Sequence, residues 1–174
     1  MRLAFARKVA ATALICAAAS ACVTAERIDA AGDVHALLIA IRDDDRAGFN
    51  AHVDRAALER QMEGVMLRHT QTPGASDTVR ALGAALSQPL SQLAGDALLR
   101  PRVFLTVAEY YGYKPATPIP GQIAIAAALR ALPDGRVCAA KSRQGPCLLT
   151  FADEDGVWRL VSFDGDPSLL RLPA

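Results

Sequence analysis

The stretch Cys147-Leu148-Leu149-Thr150-Phe151-Ala152-Asp153-Glu154-Asp155-Gly156-Val157-Trp158-Arg159-Leu160-Val161-Ser162-Phe163 decides the fold. Residues 147–152 and 157–163 are short apolar runs bounded by turn residues, the pattern of antiparallel strands. Asp153-Glu154-Asp155-Gly156 predicts the hairpin turn between them. Closing it with Ala152 opposite Val157 sets Phe151 against Trp158 and Leu149 against Leu160, so the ribbon has one apolar face. A one-residue slip spoils both pairs. Trp158 therefore reads as core. One step outward, residues 136–140 form another short strand.

Upstream the period changes from two to 3.6. Val34, Leu37, Leu38 and Ile41 recur at helical spacing, and Asp43-Asp44-Asp45 breaks that stripe. Asp45 suits the N-cap of a short helix carrying Phe49, and Asp54 suits the cap of the next, with Leu58, Met62, Val65 and Met66 on its face and an end near His69. Residues 72–76 (Thr-Pro-Gly-Ala-Ser) read as a loop. Asp77 opens a longer helix whose apolar phase is Val79, Leu82, Leu86, Leu90, Leu93 and Ala97, with a kink or break expected near Ser87 because Pro89 lies inside it. Pro101 begins a helix with Val103, Phe104, Val107 and Tyr111 apolar, and Gly112 stops it. Residues 115–120 form an extended, proline-rich connector. Residues 121–132 suit either an alanine-rich helix or a strand, ending at Pro133-Asp134-Gly135. The fold class is α+β, N-terminal helices packed on a small C-terminal antiparallel sheet.

The first residues carry a different signal. Arg2, Arg7 and Lys8 precede an uncharged apolar run, Val9 to Ala21, which has signal-peptide length and is too short to span a bilayer. Two processing sites remain open. Ala19-Ser20-Ala21-Cys22 has the form of a lipobox, which makes Cys22 an acylated first residue; Val23-Thr24-Ala25 suits ordinary signal peptidase. The domain plan is a leader at 1–21 (or 1–25), a linker at 22–32, one α+β domain at 33–166 and a tail at 167–174. The expected location is the periplasm or a periplasm-facing membrane. The formal charge of +1 includes three leader cations, so the remaining chain carries −2. Its arginines are scattered among acids, without the clustered basic footprint that nucleic acid requires.

The order of these features is itself informative. A leader is followed by an acid-ended helix, then by Val53-Asp54-x-x-Ala57-Leu58. An apolar helix closes on Asp96-Ala97-Leu98-Leu99-Arg100-Pro101, and strands end in Gly156-Val157-Trp158-Arg159-Leu160. This order resembles an uncharacterised bacterial family of exported or membrane-anchored domains of unknown function, over nearly all of the chain after the leader. Helices against a curved C-terminal sheet also resemble the cone-shaped nuclear-transport-factor-2-like superfamily. That likeness implies a ligand cavity but no activity. The family brings no catalytic residues, and the cysteine pair near the C-terminus departs from its pattern.

Cys138 and Cys147 flank a polar loop and predict a disulfide in an oxidising compartment; Pro146 disfavours a two-residue turn and points to a wider loop. A redox pair is the competing reading, although the spacing is not Cys-x-x-Cys. His35, His52 and His69 lack the i, i+4 spacing of helix-borne metal ligands, so neither a metal nor another cofactor is expected. No nucleophile elbow or phosphate loop is present in the sequence. Glu109 with Tyr110, Tyr111 and Tyr113 is the best polar cluster for a cavity mouth, where a carboxylate among aromatics can act as a base. The competing view packs Tyr111 in the core and turns Glu109 to water. The sequence thus points to a non-enzymatic envelope accessory or binding domain, with an envelope protein or small ligand as partner and the membrane added if Cys22 is acylated. The alternative is a small-molecule binder or enzyme working inside the cone. A large, open cavity separates it from a packed module.

Overall fold

A computed structural model of the chain describes residues 25–70, 77–110, 112–142 and 144–164. The segments expected as leader (with Cys22), as loop (72–76) and as tail (167–174) lie outside the described residues, as does Tyr111. Helix α1 is helical from residue 25 to residue 42 and buries Ala30, Ala31, Val34, Leu37, Ala40 and Ile41. It therefore takes in residues 25–32, expected as linker, because Ala30 and Ala31 extend the buried stripe by a turn.

The aspartate triplet ends α1 by a definable mechanism. Asp44 adopts φ 53°, and its N–H and that of Asp45 donate to Ile41 and Ala40 carbonyls at 3.4 and 2.9 Å. This is a Schellman-type closure, with aspartate tolerating the left-handed position that glycine usually takes. Asp45 then caps α2 (Arg46–Ala51), its carboxylate accepting from Ala47 N at 2.9 Å. Phe49, the buried residue of α2, meets Phe104 edge to face with ring centroids 5.1 Å apart. Asp54 caps α3 (Arg55–Thr70) through Ala57 N at 2.9 Å.

Helix α4 (Asp77–Leu98) excludes the expected break and reverses the expected buried face. It runs unbroken through Pro89. Pro89 and Ala85, whose carbonyl loses its usual partner, are both exposed, so water can satisfy that oxygen. The helix is also turned the other way. Leu86, Leu90 and Leu93 are exposed, whereas Ser87, Ser91 and Gly95 are buried. These three small residues recur every four positions and let α4 approach α3 closely. A methyl group on Gly95 would stand 2.7 Å from the Glu59 carboxylate. Across this seam Arg55 donates to Asp96 at 3.0 Å and to the Leu99 carbonyl at 2.9 Å. Polar fit between small residues outweighs leucine periodicity here.

Helix α5 (Pro101–Tyr110) starts at its proline and stops at Gly112, φ 95°. The N–H groups of Gly112 and Tyr113 bond Glu109 and Ala108 carbonyls, both at 2.9 Å. Helix α6 (Gln122–Ala128) passes directly into β1 (Leu129–Ala131), so the ambiguous segment is both helix and strand. Pro133-Asp134-Gly135 belongs to the β1–β2 turn, closed by Leu132 N donating to the Arg136 carbonyl at 2.7 Å. A hydrogen bond from Arg136 holds the Asp134 carboxyl below the usual carboxylate range.

The sheet is an antiparallel meander, β1-β2-β3-β4, with β2 at Val137–Ala140, β3 at Cys147–Glu154 and β4 at Val157–Phe163. Its last hairpin is tighter than expected. Only Asp155 (φ 57°) and Gly156 (φ 81°) form the turn, the positive pair that a type I′ turn requires. Phe151 consequently faces Leu160, Asp153 faces Trp158, and Leu149 faces Phe163 beyond a bulge at Thr150/Phe151. The expected pairs of Phe151 with Trp158 and Leu149 with Leu160 are thereby replaced. Between the turn and the bulge the shift is two residues, so Phe151, Trp158 and Leu160 stay on one apolar face; beyond the bulge it is three. Leu129, Val137, Phe151, Trp158 and Leu160 there join the helices in one core.

Edge strand β4 is closed by residues from upstream. Asp33 accepts from Trp158 N at 2.8 Å. Leu160 N donates to the His52 carbonyl at 2.9 Å, and Asp54 N donates to the Leu160 carbonyl at 3.0 Å. The Gln61 amide accepts from Phe163 N at 3.0 Å and donates to Phe163 O at 2.9 Å. An edge that would otherwise recruit another strand is thus occupied.

Candidate functional site

The closure of β4 by α3 creates a cavity among the described residues. Gln61 ties the middle of α3 to the end of β4, while the small-residue seam ties α3 to α4. Helix α5 leaves α4 through the Leu99-Arg100 turn and crosses the open side. Between these elements lies a cleft of about 440 Å³. Leu58, Met62 and Val65 of α3, Ala94 and Leu98 of α4, and Val103, Phe104 and Val107 of α5 line it. Phe163 closes the sheet end. Its volume falls in the ordinary range of small-ligand pockets.

Polar groups are few and stand at the rim. Gln61 is committed to the Phe163 backbone and also donates to Asp164 at 3.2 Å. Arg68 and Asp164 complete the lining and are exposed. The arrangement offers a greasy trough with one cation and one carboxylate at its lips. No pair of groups in it has the geometry of a nucleophile and its base. It can hold an apolar body and orient a polar end.

A second depression, about 600 Å³, lies beside the first turn of α1 and is lined by Ala25, Glu26, Ile28, Asp29, Asp153 and Trp158. It is larger by volume but more open, and three carboxylates on its wall disfavour an apolar occupant.

The residues singled out from sequence stand elsewhere. Glu109 is exposed and Tyr110 is 74% exposed, on the turn of α5 beyond the cleft. Tyr113 is half-buried, its hydroxyl donating to the Thr117 carbonyl at 3.4 Å. Among the described residues, Glu109, Tyr110 and Tyr113 line neither of these two cavities. His35 Nδ1 lies 3.0 Å from the Pro120 carbonyl, and His52 Nδ1 lies 3.6 Å from Asp33. Among the described residues no group of three or more His, Cys, Asp or Glu side chains can hold a metal ion. Trp158 is buried, as expected of a core residue, and its indole N–H donates to Asp29 at 3.0 Å.

Cys138 and Cys147 form a disulfide with Cα atoms 5.6 Å apart. The loop between the strands spans 141–146, the wider form that Pro146 demands. Missed from sequence were Gln61, Arg68, Ala94 and Asp164. The apolar lining on α3 and α5 was visible as helix faces, but nothing in a periodicity tells a filled face from one that borders a gap.

Comparison with known proteins gives little beyond the family. No curated protein and no solved structure matches this chain. A family model does match residues 9–106, which reach from the apolar run at 9–21 into α5 and stop short of α6 and the sheet. The chain belongs to the family described as "Protein of unknown function (DUF2939)".

Proposed function

We propose that this protein is a non-catalytic binding domain of the cell envelope, whose cleft between α3, α4, α5 and the end of β4 takes an elongated apolar ligand. The single observation that carries the reading is the cleft itself, 440 Å³ of aliphatic and aromatic wall with charge only at its rim. An apolar ligand gains roughly 25 cal/mol for each Å² it removes from water. Arg68 at the lip suits a ligand with an anionic end, such as a fatty carboxylate. The leader run of residues 9–21 supports delivery across the membrane, and Cys22 supports a lipid tether there.

The test is fluorescence titration of the full chain with anilinonaphthalene sulfonate, followed by displacement with laurate. Saturable, displaceable binding at one site is the expected result. Ala94→Phe fills the floor of the cleft and should weaken binding at least tenfold while the melting temperature holds. Binding that Ala94→Phe leaves unchanged would put the ligand elsewhere. For location, an N-terminus at Cys22 with a fatty-acid label supports tethering, an N-terminus at Glu26 supports export without a tether, and an intact N-terminus in the cytoplasm overturns export.

A further inference from the structure

The disulfide is not only a staple. Arg130 of β1 stands opposite Cys138 in the β1–β2 register, on the sheet face away from the core. One Nη of its guanidinium lies 3.1 Å from Cys147 Sγ and 3.4 Å from Cys138 Sγ, and the other donates to the Gly145 carbonyl at 3.1 Å. A partly buried cation is therefore set against both sulfurs at once.

A neutral disulfide is a weak acceptor and returns little for such a contact. A thiolate in the same place returns a charge-assisted hydrogen bond, and a neighbouring arginine lowers the pKa of a cysteine thiol. The guanidinium consequently favours the reduced, thiolate-bearing state over the oxidised one. We propose that Cys138–Cys147 is a reversible thiol–disulfide exchange site in which Arg130 stabilises the leaving thiolate.

Access fixes the order of events. Cys138 is fully buried, whereas Cys147 is half-buried. The thiolate of a thiol co-reactant, either a small thiol or a protein dithiol, attacks Cys147 Sγ. A mixed disulfide forms there, the Cys138–Cys147 bond breaks, and its electron pair leaves on Cys138 Sγ beneath Arg130. A second thiolate from the co-reactant attacks its own sulfur in the mixed disulfide and releases Cys147 as thiolate. The protein disulfide gains two electrons and the co-reactant leaves as a disulfide. Strands β2 and β3 are paired through Val137, Cys138 and Ala139 independently of the bridge, so exchange opens the 141–146 loop without dismantling the sheet.

The experiment equilibrates the full chain across glutathione buffers and counts free thiols by alkylation and mass spectrometry. Wild type should show a midpoint inside the accessible range of reduced to oxidised glutathione. Arg130→Gln should shift it about tenfold or more toward the disulfide, the equivalent of one unit of thiol pKa, and Arg130→Lys should restore most of the shift. Equal midpoints for wild type and Arg130→Gln overturn the proposal, as does a wild-type bridge that every glutathione ratio leaves intact. Should Arg130→Gln fail to fold, the rate of alkylation against pH in reduced wild type decides instead. Reactivity persisting well below the ordinary thiol pKa of about 8.5 supports the proposal, and a profile centred there contradicts it.

Discussion

Replacing Gln61 by alanine removes both hydrogen bonds that close the last residue of β4, and it leaves a half-buried backbone N–H without its partner. Stability should fall by about 1–3 kcal/mol, read by denaturant titration. Gln61→Glu keeps the acceptor for Phe163 N but loses the donor, so its loss should be intermediate. Trp158 makes a stronger demand. It is 4% exposed, and Asp29 and Asp33 bond its indole and backbone N–H groups. Trp158→Ala should cost about 3–5 kcal/mol, enough to unfold a marginal domain. A loss below about 1 kcal/mol in the same titration would place the indole at the surface. Residue chemistry was the most legible layer of this sequence. Asp45, Asp54, Pro101 and Gly112 act where their side chains or their φ preferences say they should, because capping and turn formation need only local partners. Gln61 escaped notice because its partner lies 102 residues away.

At the scale of the element, α4 separates what a pattern tells from what it withholds. Its leucines keep helical phase, but so do Ser87, Ser91 and Gly95, and only the facing surface of α3 chooses between them. Arg55, Glu59 and Glu63 on α3 fit the small, polar stripe, which leaves Leu90 about half exposed at 49%. Leu90→Gln should therefore change stability by no more than about 0.5 kcal/mol, whereas Ser91→Leu, forced into the seam, should cost about 1–3 kcal/mol by overpacking. Equal effects of the two substitutions in thermal melts would reverse the orientation of the helix. The hairpin teaches the same lesson on a smaller scale. Four turn residues suggested a four-residue loop, but Asp155-Gly156 can make a two-residue turn alone, and hydrogen bonding favours the longer ladder. Strand β1 was obscured because Ile123, Ile125, Ala127 and Leu129 satisfy both periods. The disulfide joins strands already adjacent in sequence, so its benefit is local. Closing a loop of ten residues contributes at most about 2.7 kcal/mol by chain entropy. Reduction should lower the melting temperature by several degrees while far-ultraviolet circular dichroism keeps its shape; a lost spectrum would make the bridge essential to the sheet.

For the whole molecule, the architecture follows from one economy of contacts. Helices come first in the chain and the sheet last, yet the edge of β4 is completed by Asp33, the 52–54 segment and Gln61, which reach it from the N-terminal half. That arrangement anchors α3 at one end and leaves α5 to bridge the remaining space, and the cleft is the result. No stretch of sequence encodes it. It arises from a glutamine bonding a distant strand, from a serine–glycine seam and from an alanine at position 94, none of which looks like a binding motif in isolation. The α+β class and the fold order were open to reading because hydrophobic period changes sharply after Pro133; the cleft was not, because it is a property of gaps between elements. The most direct measurement of its role is a methyl-resolved nuclear magnetic resonance titration of the full chain with laurate. Saturable shifts are expected at Met62, Val65, Leu98, Val103 and Val107, with Leu86, Leu90 and Leu93 unmoved. Shifts confined to those three outward leucines, or no saturable shift anywhere, would contradict that role.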